Sequence, residues 1–453
     1  MEFNGKNYQI KSVTVAGTTL RYRTFENLIY AEHPVNPEFQ KMNIYVPECY
    51  YEGGSINGYG LHSAPVFMPN HVGGYMPGGI GEPGRSWESA DVPNTIFQAL
   101  QHGYIVASPA IRGRNQQGED GQYTGKAPAC IVDYKAAVRY LRYFADELPG
   151  DMEKIITNGT SAGGALSSLM GATGNHPDYE PWLKEIGAAD AKDHVFAASC
   201  YCPIINLEHA DMAYEWQFSG IYDYNSWNKE GIMEEEQIEV ARKLEILFPA
   251  YVNELGLTDQ EGRRLELDVS GNGTFKEYIK RIVLDSAKKA VNAGMDLSDK
   301  AWIRFENGEA IEMDFYGWAK DITRMKTAPA FDRLTLDSPE NDLFGTAEEK
   351  AKHFTAWGSE YSKESGMMAD GRIIKLLNPM RYVDDEEAKT AKHWRIRHGE
   401  RDRDTSLAIS AVLVRKLEMM GCEVDYHSPW DIPHAGDYDL DELFAWIDEI
   451  CRK

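Results

Sequence analysis

Short apolar runs recur through the first two hundred positions, each closed by glycine, proline or asparagine. Residues 43–46, 64–68, 104–108 and 195–198 read as strands by their length and flanking turns. Between positions 129 and 145, Tyr134, Val138, Leu141 and Ala145 repeat at the spacing of one helix face. Strands separated by helices imply right-handed crossovers and a mainly parallel sheet. From about Pro203 to Leu377 that rhythm stops. The segment is acidic, aromatic and mostly helical in pattern, with Glu234-Glu235-Glu236 opening one helix and residues 275–290 forming another. Around residues 310–315 an alternating stretch suggests a hairpin with Asn307-Gly308 at its turn. Strand signals return at 394–397 and 422–427, with helices at 407–420, closed by Gly421, and at 440–450. The pattern predicts one α/β domain from residues 1–203 and 378–453. An inserted domain, residues 204–377, interrupts it, and its length is ordinary for a separate unit.

Composition narrows the functional classes. A net charge of −24 over 453 residues argues against nucleic acid or an anionic membrane surface as partner. No apolar run approaches a membrane span, and the first residues carry neither a basic nor an apolar leader segment, so a cytoplasmic location is expected. The six cysteines are scattered and read as reduced thiols. Cys200-Tyr201-Cys202 has no second pair at metal spacing and reads as buried strand. No metal or cofactor is called for, and oligomeric state is left open.

Candidate chemistry centres on Gly159-Thr160-Ser161-Ala162-Gly163. In a chain with 40 glycines the pentapeptide alone recurs by chance, so its setting carries the weight. It follows the apolar pair Ile155-Ile156 and opens onto Ala165-Leu166 and Leu169-Met170, the strand–turn–helix context of a nucleophile elbow. A serine hydroxyl needs a base, and the base needs a carboxylate to fix its tautomer. In this arrangement the chain order is Ser, acid, His. Asp402, just after the 394–397 strand, is the acid of choice. Asp404 is its rival, with the N-cap of the following helix as its ordinary role. Among twelve histidines only His434 falls between the last strand and the last helix. Oxyanion donors are expected from the Ala162 N–H and from the loop after residues 64–68, at Gly74 or alternatively Gly73.

With these residues in place the chain resembles the bacterial tannases, α/β-hydrolase esterases that split galloyl esters. The likeness covers nearly the whole length: the Ser-Ala-Gly-Gly elbow, the large insert, Asp402-Arg403-Asp404-Thr405-Ser406 and the His434 segment. The resemblance implies that Lys326, Glu340 and Asp404 hold the phenolic hydroxyls of the substrate. It further implies that Pro339 and an isoleucine, Ile204 or Ile205, sandwich the flat ring. The implied partner is thus a small aromatic ester. Two other readings stay open: a feruloyl or other aryl esterase on the same scaffold, and a catalytically dead hydrolase-fold binding protein.

Overall fold

The computed structural model describes all residues except 87, 88, 90, 227, 228, 365 and 366. Seven strands precede the insertion: β1 (Gln9–Val15), β2 (Thr18–Ile29), β3 (Lys41–Pro47), β4 (Pro65–Pro69), β5 (Ile105–Pro109), β6 (Asp151–Thr160) and β7 (Ala197–Tyr201). Within it lie two hairpins, β8 (Asp223–Ser226) with β9 (Lys229–Ile232) and β10 (Ile303–Glu306) with β11 (Glu309–Met313). Beyond it come β12 (His393–Arg397) and β13 (Glu423–His427).

Among the described residues nine strands form one sheet, in the order β1-β2-β3-β5-β4-β6-β7-β12-β13. From β5 through β13 every neighbouring pair is parallel; β1, β2 and β3 pair antiparallel at the other side. Every residue of β4, β5, β7 and β12 is buried, as strands covered by helices on both faces should be; β12 buries Arg395 and Arg397 with Asp439 and Asp425 as their partners. The edge strands β1 and β13 are only half-buried and carry Lys11, Glu423 and Asp425. Charged, half-exposed edges discourage further strand pairing.

The antiparallel start is a departure from the strand–helix reading. Gln9–Val15 and Thr18–Ile29 largely alternate polar and apolar residues and contain no run of more than two consecutive hydrophobics. Their turn, Ala16-Gly17, has φ of 49° and 78°, the positive pair that suits a two-residue hairpin loop.

The insertion connects β7 to β12, which lie side by side with Ala198 opposite Trp394. Among the described residues none between 204 and 377 adds a strand to the main sheet. The insertion's helices include Leu207–Gln217, Glu235–Glu245, Thr274–Asn292, Phe315–Ile322 and Pro339–Leu343. The second hairpin turns at Asn307-Gly308, φ 51° and 84°, as expected. The first hairpin was not foreseen, because Asp223–Ser226 is polar throughout and short. Trp216 gathers Phe248, Phe275 and Phe315 at ring separations of 5.1, 5.9 and 5.2 Å, part of an apolar core continuous with that of the sheet. No helix among the described residues is long and apolar enough to cross a membrane.

Candidate active site

Strand β6 ends at Thr160 and the helix Ala162–Ala172 begins at once, so Ser161 must turn the chain in a single residue. It does so at φ 61° and ψ −121°, an uncommon conformation for a side-chain-bearing residue and one that clusters at functional sites. The turn requires bare backbone around it. A Cβ on Gly159 would meet Gly163 O at 2.3 Å and Asn70 Nδ2 at 2.4 Å, and one on Gly164 would meet Tyr201 O at 2.5 Å.

Two loops are bolted to this turn. Asn70, just past β4, donates from Nδ2 to Asn158 O and Gly163 O, both at 3.0 Å. The Ile204 N–H, past β7, donates to Ser161 O at 3.2 Å, and Tyr75 Oη donates to Ile204 O at 2.9 Å. Gly74 and Tyr75 carry φ of 54° and 55°, and the Gly74 N–H donates to no acceptor among the described residues. As the first helical residue, Ala162 has an N–H with no acceptor inside its own helix. Gly74, Ala162 and Ser161 line one cavity of about 300 Å³ together with His434.

Loops after β12 and β13 bring Asp402 and His434 together. His434 Nδ1 donates to Asp402 Oδ2 at 2.7 Å, and the Asp404 N–H donates to Asp402 Oδ1 at 2.8 Å. The Asp404 carboxylate accepts from Lys326 rather than from His434. Asp404 is not the helix N-cap either: Ser406 takes that role, accepting from the Ala408 N–H. Burial opposes ionisation of Asp402, yet His434 and His398 beside it hold its carboxyl down at about 2. Burial likewise works against a charged His434, but Asp402 and the Cys202 sulfur hold its pKa well above the ordinary imidazole range. Ser161 Oγ forms no hydrogen bond to His434, whose Nε2 instead lies 3.9 Å from Cys202 Sγ. Catalytic contacts are commonly loose before a substrate draws them in.

The far end of the cavity is made by the insertion. Lys326 Nζ donates to Asp404 Oδ1 at 2.6 Å and lies 3.9 Å from the Phe331 ring centre. Glu340, in the helix Pro339–Leu343, is 7% exposed and lines the same space with Pro339 and Ile204. Burial pushes the Glu340 carboxyl up, with Lys326 opposing. Burial also disfavours the Lys326 ammonium, but Asp404 and Glu340 more than offset this and raise its pKa. Gly73 and Ile205 are not among the lining residues.

Support behind Lys326 is extensive. Tyr214 Oη accepts from the Met325 and Lys326 N–H groups at 2.9 and 3.0 Å and donates to Arg403 O at 2.9 Å. The Arg324 side chain, wholly buried, forms a bidentate pair with Glu215 at 2.7 and 2.9 Å and donates to Lys326 O at 2.8 Å. One hydroxyl thereby fixes the Lys326 segment against the loop carrying Asp404. Sequence reasoning missed Tyr75, Cys202, Tyr214 and Arg333, which lines the cavity. For the first two, position alone held a signal: both follow the carboxyl end of a central parallel strand, where ligand crevices open.

The mainly parallel sheet, the strained serine turn at its carboxyl edge and the Asp402–His434 pair define an α/β-hydrolase. A family model described as BD-FAE matches residues 75–251. A stretch of 58 residues is 43% identical to the Esterase LipC of Mycobacterium tuberculosis, spanning 13% of this chain and only 14% of that protein. Solved structures cover far more. The tannase of Fusobacterium nucleatum is 44% identical over 99% of both chains, with a TM-score of 0.95. The native tannin acyl hydrolase of Lactobacillus plantarum is 46% identical, covering 99% of this chain and 98% of that one, with a TM-score of 0.96. A tannin acyl hydrolase in complex with ethyl gallate matches with the same figures. The chain belongs to the bacterial tannase family.

Proposed function

We propose that this protein is a carboxylic ester hydrolase that cleaves galloyl esters through an acyl-enzyme. In this reading Ser161 Oγ attacks the ester carbonyl while His434 Nε2 takes its proton. Asp402 stabilises the imidazolium that forms, as its low pKa suits it to do. The N–H groups of Ala162 and Gly74 receive the developing oxyanion. His434 then protonates the departing alcohol, and water repeats the sequence to release the free acid. Neither half-reaction asks for a metal or cofactor.

The acyl group is read at the other end of the cavity. A trihydroxyphenyl ring has two apolar faces and a polar edge. Pro339 and Ile204 would cover the faces, and Lys326, Glu340 and Asp404 would pair with the edge. Residues 204–377 act here as a lid over Ser161, since they supply Lys326, Pro339 and Glu340 to its cavity. The observation that carries the reading is the Lys326–Asp404 pair, 2.6 Å apart, beside buried Glu340 in the cavity that Ser161 and His434 line. Esters lacking ring hydroxyls leave those charges unpaired and should be rejected. Steady-state kcat/KM on methyl gallate against methyl ferulate tests this. Strong preference for the gallate is expected; equal turnover would replace the galloyl reading with a general aryl esterase.

A further inference from the structure

Gly74 and the helix that carries Glu340 come from distant parts of the chain, and one side chain joins them. Arg114, in the loop after β5, donates from Nε to Gly74 O at 2.8 Å and from its backbone N–H to Tyr75 O at 2.9 Å. Its Nη1 pairs with Asp342, two residues past Glu340 in the helix Pro339–Leu343. We infer that Arg114 is a positioning residue that couples the two ends of the cavity: it holds the Gly74 peptide where an oxyanion would sit and ties that peptide to the helix of Glu340. The inference rests on the oxyanion and ring-binding roles proposed above.

A trans peptide directs its N–H opposite to its C=O. Gly73 O accepts from the Met76 N–H at 2.9 Å, so the Gly74 N–H leaves from the other side of that peptide plane. Arg114 pins the next peptide through Gly74 O, and Gly74, at φ 54°, is thereby held on both sides. Behind Arg114 the loop is well anchored. Arg112 forms a bidentate pair with buried Asp133 at 2.8 and 2.9 Å, and Ile111 and Gly78 exchange N–H bonds at 2.8 and 3.0 Å. Asp342, 6% exposed, is gripped a second time by Lys126, whose Nζ pairs with its carboxylate and donates to Asp342 O at 2.8 Å. Arg114 is not among the residues lining the cavity, so it acts through the groups it holds. Burial pushes the Glu340 carboxyl up, and Arg114 joins Lys326 in opposing this, so its loss would reach gallate esters by a second route.

The oxyanion effect is isolated with p-nitrophenyl acetate, whose acyl group is too small to meet Glu340. Arg114→Met should lower kcat on this ester by about 10- to 100-fold and leave KM within about twofold, since a displaced donor is missed chiefly in the transition state. Asp342→Asn, isosteric and outside the Gly74 loop, should lower the same kcat by about tenfold, an effect that a residue serving only ring binding would not have. Arg114→Lys keeps the charge near Glu340 but cannot hold Gly74 O and Asp342 with one nitrogen. Its kcat should fall on the acetate and on methyl gallate alike, leaving their ratio at the wild-type value. The double variant Arg114→Met/Asp342→Asn should lose no more than Arg114→Met alone. An unchanged kcat on the acetate in Arg114→Met, or losses that multiply in the double variant, overturns the coupling. Should Arg114→Met fail to fold, Arg114→Lys alone and combined with Asp342→Asn decides by the same criteria. Activity retained in Ser161→Ala would instead overturn the proposed mechanism itself.

Discussion

Replacing Lys326 by methionine probes ring recognition most sharply, because its effect divides into two separable parts. The first is the hydrogen bond that the ammonium would give a phenolic oxygen, about 1.5–3 kcal/mol for a charged donor. That corresponds to roughly a 10- to 150-fold loss of kcat/KM on methyl gallate. The second arises because Lys326 is 2.6 Å from Asp404 and is the cation that opposes the upward push of burial on Glu340. Without it two carboxylates share a small cavity whose remaining cation, Arg333, is paired with Asp337, so the total loss should exceed that of Asp404→Asn or Glu340→Gln. The double variant Lys326→Met/Asp404→Asn removes one stranded carboxylate, and the pair should therefore be non-additive by about 0.5–3 kcal/mol. The assay is kcat/KM on methyl gallate divided by that on p-nitrophenyl acetate, whose acyl group is too small to reach the far end. An unchanged ratio in Lys326→Met, or strict additivity in the cycle, would refute the reasoning.

Further outcomes are expected. Ser161→Ala and His434→Ala should each lower kcat on p-nitrophenyl acetate by about a million-fold, as in other serine hydrolase triads, and Asp402→Ala by one or two decades less. If Asp404→Ala proved worse than Asp402→Ala on that ester, the acid would be misassigned. Because His434 must be neutral to act as base and its pKa is held above the ordinary value, kcat/KM should fall as pH drops through a limb lying above 6.5. Asp402→Asn removes the largest raising charge and should shift that limb to lower pH; a limb that stayed in place would contradict the pairing. Gly159→Ala drives a methyl into Gly163 O and Asn70, and should lower unfolding free energy by about 1–3 kcal/mol in denaturant titration.

Legibility in the sequence followed how local the physics was. Central strands such as Ile105–Pro109 are buried on every residue and announce themselves as apolar runs. The β1–β2 hairpin does not, because its outward positions carry Ser12, Thr14, Arg21 and Arg23 and its inward ones are interrupted by Lys11 and Thr24. Ser161 was readable since its turn imposes small neighbours within five residues. Lys326 and Glu340 carry no local signal at all: a lysine beside a methionine and a glutamate in a one-turn helix look like surface charges. Their meaning came from resemblance, and Lys326 is held beside Asp404 by Tyr214 and Arg324, whose hydrogen bonds span about a hundred residues of chain. The choice between Gly73 and Gly74, or Ile204 and Ile205, depends on which way one peptide faces, which no spacing argument encodes.

The place where the insertion interrupts the sheet also orders events during synthesis. Strands β7 and β12 are neighbours, yet everything from Pro203 to Lys392 must emerge from the ribosome between them. A nascent chain therefore carries Ser161 long before it possesses either Asp402 or His434. Looping out so many residues costs little more entropy than a shorter excursion, since the penalty grows only logarithmically. What the arrangement demands instead is sequence in time: the β7–β12 contact cannot close until the excursion has been made. On the mechanism proposed above, any chain abandoned before position 434 carries Ser161 without His434, so fragments released by interrupted translation are expected to be hydrolytically silent.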